Sequence, residues 1–167
     1  LLRRNPGNWE PGVIPQAVPF ARLRHVSVPP DLAIQVREWV ALDPDPETRA
    51  ELADLLERGD VPALTERFAG RIAFGTAGLR SGMYAGPTGM NRLVVRQSAA
   101  GIARYLLAEV PDARTAGVAV NHDARHRSAT FARDCAEVIA AHGIPVTLAP
   151  GALPTPIGVV AVPHLGV

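Results

Sequence analysis

The sequence has little of what disulfide frameworks, metal clusters and nucleic-acid surfaces require. Cys135 is the only cysteine in 167 residues, which excludes an internal disulfide and a cysteine-rich metal site. Seventeen basic and 16 acidic residues leave a formal net charge of +1, which gives no indication of a polybasic surface for nucleic acid or membrane. No apolar run approaches the length that spans a bilayer. We therefore expect a cytoplasmic protein that binds neither nucleic acid nor membrane.

Proline content and hydrophobic periodicity divide the chain into three parts. Residues 1–30 contain six prolines and little periodicity, which predicts an irregular tail. Residues 31–70 carry three amphipathic helical patterns separated by turns, which predicts a helical segment. From residue 71 to residue 167, short apolar runs alternate with helical patterns, which predicts an α/β domain.

The third part shows the alternation typical of a sheet covered by helices on both faces. We predict a three-layer α/β/α arrangement with a mixed, mostly parallel sheet and right-handed crossovers. Cys135 falls on one of the helices and is interpreted as a small buried residue rather than a reactive thiol. The predicted strands cover 71–74, 117–120 and 144–148, and the predicted helices cover 91 onward, 127–142 and 155 or 156 to 164.

The segment FGTAGLR, residues 74–80, combines a flexible backbone with a fixed positive charge. Gly75 and Gly78 have no Cβ atom, so backbone amides can crowd around an anion. Arg80 adds a planar guanidinium that can hold two phosphate oxygens at once. Taken alone, the segment is compatible with a phosphate site or with a purely structural turn.

A second polar segment follows the predicted strand 117–120, in HDARHRS. Polar residues at the carboxyl end of a parallel strand are favourably placed for a ligand. Asp123 can equally bond nearby backbone amides and pair with Arg125, while Ser128 caps the next helix. His122 and His126 are four residues apart, which brings two imidazoles together only on a helix, and no helix is predicted there.

Four segments in this order and spacing resemble the N-terminal part of the α-D-phosphohexomutases, the phosphoglucomutase and phosphomannomutase family. The resemblance covers about residues 30–167 and is more specific than any single motif. The segments are FGTAGLR at 74–80, GMYAGPTGMNR at 82–92, HDARHRSATFA at 122–132 and LPTPIGVVAVPHLG at 153–166.

The resemblance implies an isomerase that moves a phosphoryl group between two positions of a phosphosugar. A phosphoserine, an Mg²⁺ ion held by three aspartates and a hexose bisphosphate activator belong to that reaction. Arg80 matches the arginine that the family directs at the transferring phosphoryl group. The further phosphate-binding candidates are Gly75, Thr76, Gly78, Arg125 and His126.

The resemblance also implies elements that this sequence does not contain. No serine loop of the T-A-S-H-N-P kind, no D-x-D-x-D run and no sugar-selecting loop occurs. We expect residues 71–167 to form an incomplete first domain that binds no metal, is inactive alone and self-associates through an exposed sheet edge. The alternatives are a stand-alone sugar-phosphate-binding or regulatory module without catalysis, and the product of a damaged gene.

Overall fold

The computed structural model describes residues 27–76 and 78–167. Residues 1–26, which make up most of the predicted irregular tail, lie outside the described residues. Three helices, a short hairpin and an alternation of helices and strands follow one another. The elements are α1 (Pro30–Leu42), α2 (Pro46–Glu57), α3 (Val61–Arg67), β1 (Phe74–Gly75), β2 (Gly78–Leu79), α4 (Arg92–Glu109), α5 (Ala113–Ala116), β3 (Val118–Val120), α6 (Ser128–Ala141), β4 (Val146–Leu148) and α7 (Thr155–Leu165).

Each of the three N-terminal helices has proline in its first turn, and aspartate precedes two of them. The Asp45 carboxylate accepts the Glu47 N–H at 3.1 Å, and the Asp60 carboxylate accepts the Ala63 N–H at 3.2 Å. Buried Asp43 accepts the Asp45 N–H and the Thr48 hydroxyl. The two aspartates of the turn between α1 and α2 therefore hold the start of α2 through hydrogen bonds.

The larger hydrophobic cluster lies among α1, α2, α3 and the start of α4. Trp39 packs edge to face on Phe68, with ring centroids 6.1 Å apart. The buried members are Val36, Trp39, Leu52, Leu55, Leu64, Ala85, Leu93 and Val94. We call this set the N-terminal cluster.

Asn91 connects the irregular segment before α4 to the helix itself. Its side-chain oxygen accepts the Val94 N–H at 3.0 Å, which caps α4. Its amide nitrogen donates to the carbonyls of Tyr84 at 3.0 Å and Gly86 at 2.7 Å. At Gly89 an added Cβ would lie 2.2 Å from the Tyr84 oxygen, so only glycine fits. These contacts explain the glycine and asparagine of the segment.

β3 and β4 pair in parallel, with Val118 opposite Val146 and Val120 opposite Leu148. Helix α6 connects them, which confirms the predicted strand-helix-strand unit. Helices α4 and α6 pack on each other through a smaller cluster, and Cys135 is partly buried against it. Its buried members are Ala99, Ala103, Ile139 and Ile144.

The predicted strand over 71–74 is wrong for its first three residues. Only Phe74 is extended, and β1 pairs antiparallel with β2 in a separate two-stranded hairpin. The side chain of Phe74 is 82% exposed. The chain reverses between Gly75 and Gly78, and Gly78 takes a φ of 90° that favours glycine. The reversal pairs the segment locally instead of adding it to β3 and β4.

Two details are visible only in the structure. Ile102 is 52% exposed, and Ala99 and Ala103 provide the close contact of α4 with α6. Pro154 is the cap residue of α7, and no side chain caps this helix. Helix α7 begins in the predicted place, and none of its residues is buried. None of the helices in the described ranges has the length and apolar character required to cross a membrane.

Candidate functional site

A cleft of about 520 Å³ lies between the segment after β2 and the turn that precedes α6. It brings together three of the predicted site residues, Arg80, Arg125 and His126. Two of them are arginines, which carry a fixed positive charge at neutral pH. The remaining lining residues are Leu79, Ser81, Met83, Met90, Ser128 and Phe131. We call this space the arginine cleft.

Arg80 follows β2 directly and is exposed at the arginine cleft. Among the residues that the structure describes, no carboxylate or carbonyl accepts a hydrogen bond from its guanidinium. The five N–H donors of this side chain are therefore available to a ligand. An oxyanion matches their charge and planar geometry better than a neutral group.

Arg125 is held by its neighbours in the turn. Its Nε donates to the Asp123 carboxylate at 2.6 Å, and its backbone N–H donates to the same group at 3.1 Å. The Ser128 hydroxyl donates to Asp123 at 2.7 Å. The pKa of Asp123 lies below its ordinary value. The hydrogen bond from Ser128 is the largest cause, and the hydrogen bond from the Arg125 backbone is the second. Asp123 thus stays ionised and orients Arg125 through Nε.

The hairpin glycines and Thr76 do not line the arginine cleft. Gly75 and Thr76 are exposed, and Gly78 provides the left-handed turn that leads the chain to Arg80. The structure therefore places Gly75, Thr76 and Gly78 beside the cleft, in the hairpin that positions Arg80. Direct binding of phosphate by these three residues stays a prediction.

The two histidines of the turn do not form a pair of ligands. His122 directs Nδ1 to the Asp123 carbonyl at 3.0 Å, and α6 begins only at Ser128. His126 lines the arginine cleft, whereas His122 lines a neighbouring cleft of about 590 Å³. Across residues 27–76 and 78–167, no group of three or more His, Cys, Asp or Glu side chains could hold a metal ion. This part of the chain does not fit the Mg²⁺ that the resemblance implies.

Tyr84 is a neighbour of the cleft that the sequence pattern did not indicate. Its hydroxyl accepts from Ser81 Oγ at 3.1 Å and donates to the Thr88 carbonyl at 3.4 Å. The hydrogen bond from Ser81 is the main cause of the lowered pKa of Tyr84. The Arg67 guanidinium stacks over the ring at 4.9 Å. Tyr84 thereby ties Ser81, and with it the chain after Arg80, to the N-terminal helices.

The sequence also did not predict two groups of ion pairs, one formed by Arg127 and one formed by Asp134. Arg127 pairs with Asp45 and Glu47, which lie more than 75 residues earlier in the chain. On the other side of α6, Asp134 is 1% exposed and accepts from Arg92 at 2.7 Å and from Arg96 at 2.8 Å. Sequence separation of this size leaves no local signal, because only tertiary folding brings the partners together.

The parallel pair β3 and β4, with α6 and α7 packed against it, is the arrangement of an α/β domain. The family model described as "Phosphoglucomutase/phosphomannomutase, alpha/beta/alpha domain I" matches residues 71–167. The chain belongs to this family. This confirms the resemblance and the predicted fold class.

The chain is similar to several full-length phosphosugar enzymes. It is 42% identical over 137 residues to a probable phosphoribomutase of Schizosaccharomyces pombe, covering 82% of this chain and 23% of that protein. A phosphopentomutase of Mus musculus is 35% identical, covering 78% and 22%. A glucose 1,6-bisphosphate synthase of Mus musculus is 36% identical, covering 81% and 23%. The chain thus spans less than a quarter of the length of these relatives. No solved structure matches it.

Proposed function

We propose that these residues form the first part of domain I of a phosphosugar mutase, and that the arginine cleft grips a phosphoryl group. One observation carries the proposal: Arg80, without a partner among the described residues, lies in the same cleft as Arg125 and His126. A transferring phosphoryl group needs its oxygens neutralised by preorganised cations. Arg80 would supply that charge, and Arg125, oriented by Asp123, would add a second.

The proposed substrate is a small sugar phosphate whose phosphoryl group moves between the 1-position and the terminal carbon. The reaction expected for the family proceeds through a phosphoserine and a hexose bisphosphate. Two of the relatives carry the names phosphoribomutase and phosphopentomutase, so pentose phosphates should be assayed beside hexose phosphates. The proposed location is the cytoplasm, since a single cysteine suits a reducing compartment.

We do not assign the nucleophile or the metal to these residues. The serine loop and the aspartate run of the family do not occur in the sequence, and the described residues offer no metal site. The 167-residue chain should therefore not interconvert hexose or pentose 1-phosphates with their terminal phosphates, even with Mg²⁺ and a bisphosphate present. Turnover that persists through rigorous purification would contradict this assignment.

Arg80 offers the direct test. Arg80→Ala should remove a charge-assisted contact of about 1.5–3 kcal/mol, which corresponds to about 10- to 150-fold weaker binding of a sugar phosphate. Arg80→Lys should recover only part of the affinity, because a point charge cannot reproduce the planar fork. Binding of ribose 5-phosphate and glucose 1,6-bisphosphate to the 167-residue chain can be followed by NMR titration.

Arg104→Ala is the matched control, because Arg104 is an exposed arginine of α4 outside the arginine cleft. It should bind as the parent chain does. If Arg80→Ala lowers the melting temperature and leaves binding unchanged, Arg80 is structural and the proposed site is wrong. A parent chain that binds the sugar phosphate through Arg80, but that is not part of any enzyme with mutase activity, is better described as a binding or regulatory module.

A further inference from the structure

Arg127 adopts a backbone conformation that its residue type seldom takes. Its φ is 61°, and it is the only non-glycine residue with positive φ in the ranges that the structure describes. The left-handed region is unfavourable for an L-residue with a Cβ atom, because that atom comes too close to the following carbonyl oxygen. Strain of this kind persists only where surrounding contacts determine it. The position is the residue immediately before α6 and next to His126.

The contacts that hold Arg127 come from α2. One terminal nitrogen of its guanidinium donates to the Asp45 carboxylate and the other to the Glu47 carboxylate. The Asp45 side chain is only 6% exposed, and it also caps α2. Asp43 in turn accepts the Asp45 N–H and the Thr48 hydroxyl, so the anchor is itself fixed by buried hydrogen bonds.

The two residues before Arg127 both line the arginine cleft, whereas Arg127 lines a smaller space on the α2 side. That space, of about 200 Å³, is shared by Glu47 and His126. At this turn Arg127 faces the α2 side, while its chain neighbours Arg125, His126 and Ser128 line the arginine cleft. Its side chain holds that turn against α2.

We propose that Arg127 is a positioning residue: through Asp45 and Glu47 it uses the N-terminal helices to hold Arg125 and His126 in the arginine cleft. This inference rests on the proposed function of the cleft. It assigns a role to residues 31–70, which lie before the matched family domain.

The test separates positioning from simple electrostatics by the sign of the effect. Asp45→Asn with Glu47→Gln removes two negative charges near a cationic cleft and releases Arg127, which by Coulomb attraction alone should strengthen anion binding. Asparagine also keeps the helix cap, so α2 should form normally. Positioning predicts the opposite, namely weaker binding of inorganic phosphate by about 2- to 30-fold, the range expected for couplings of 0.5–2 kcal/mol.

Single substitutions at Arg127 test the left-handed backbone conformation and the side-chain ion pairs separately. Arg127→Gly accepts the left-handed turn without strain and lacks both ion pairs, so it should lose as much phosphate affinity as Arg127→Gln. Arg127→Lys should recover only part, since one ammonium group cannot span two carboxylates as a fork does. Arg58→Gln is the matched control, because Arg58 pairs with Asp54 on the exposed side of α2, with side chains 57% and 60% exposed.

Phosphate binding to the 167-residue chain is read from NMR shifts of His126 and of the amides from 123 to 128, with melting temperature measured in parallel. Weaker binding in the double carboxylate variant, with Arg58→Gln unchanged, supports the proposal. Equal or stronger binding in that variant, or normal binding by Arg127→Gly, overturns it. If the parent chain shows no phosphate binding that depends on Arg80, the proposed function of the cleft fails first, which is a distinguishable result.

Discussion

Eight buried apolar residues form the N-terminal cluster, whereas the cluster between α4, α6 and the two parallel strands contains four. Helix α7 adds no buried residue, and its Val159 and Val160 are each 68% exposed. The family model nevertheless begins at residue 71, so most of the N-terminal cluster lies outside it. The larger hydrophobic cluster and the residues that match the family model therefore overlap only in part, at Ala85, Leu93 and Val94.

The two regions also differ in what holds them together. In the N-terminal region, leucines and one tryptophan fill the space between three helices. In the region around α6, a buried carboxylate between two arginines joins α4 to α6 beside small alanine contacts. Apolar burial is insensitive to pH, while an ion pair depends on the charge of both partners. Substitutions made in one region at a time test whether the two regions differ in this way.

The largest effect is expected in the N-terminal cluster. Leu52 is completely buried, so Leu52→Ala should lower the free energy of unfolding by about 3 kcal/mol, through lost transfer energy and the cavity that remains. Val160→Ala, at a mostly exposed position of α7, should change it by less than about 0.5 kcal/mol. Urea unfolding of both variants measures the difference. Equal losses would show that the two regions do not differ in packing as described.

A smaller and pH-dependent effect is expected at Asp134. Burial works against ionisation of this carboxyl group, but hydrogen bonds from Arg92 and Arg96 outweigh it and lower its pKa below the ordinary 3.8. A lowered pKa stabilises the fold above the unfolded value of 3.8, and that contribution is lost as the pH falls through the folded-state pKa. Asp134→Asn should cost about 2 kcal/mol at neutral pH, because it removes charge-assisted hydrogen bonds from two arginines that are partly exposed.

The check is unfolding of both chains across the acid range. Asp134→Asn should be less stable than the parent at neutral pH, and the gap should narrow as the pH falls below 4. Glu137→Gln is the control, since Glu137 is 54% exposed and pairs with Arg96 at 3.2 Å. A gap that stays constant down to the most acidic pH would mean that the Asp134 charge does not contribute.

The smallest effect on stability is expected for the exposed face of α7. Replacing Val159 and Val160 together by serine should change the free energy of unfolding by less than about 1 kcal/mol, because both side chains are mostly exposed. It should nevertheless reduce self-association, since exposed apolar patches favour contacts between copies. Sedimentation velocity over a range of concentrations would measure this. A parent chain that remains monomeric throughout would remove the prediction of self-association.

Much of the fold was predictable because its signals are local. Proline in the first turn and aspartate before α2 and α3 place helix starts, and Asn91 does the same for α4. The parallel unit around α6 followed from the change of hydrophobic period. The predicted strand over 71–74 was wrong for its first three residues, because the local sequence does not show where the pairing partner of a strand lies. Gly75 and Gly78 pair the segment with itself instead.

The candidate site was likewise predictable only where its signals are local in the sequence. Arg80, Arg125 and His126 were proposed from their residue types together with the family resemblance, and their roles in binding stay predictions. The roles of Tyr84 and Arg127 were not identified, since they depend on contacts with α2, α3 and the segment after β2. Such contacts carry no fixed spacing in the sequence.

Motifs, residue chemistry and hydrophobic periodicity act over a few positions, so they were enough to predict the family resemblance, the alternation of helices and strands, and the cations of the candidate site. The folded chain alone shows that the hairpin lies apart from β3 and β4, that Arg80 and Arg125 share one cleft, and that Arg127 pairs with α2. These features depend on long-range packing and pairing of charges, whose partners become neighbours only when the chain has folded.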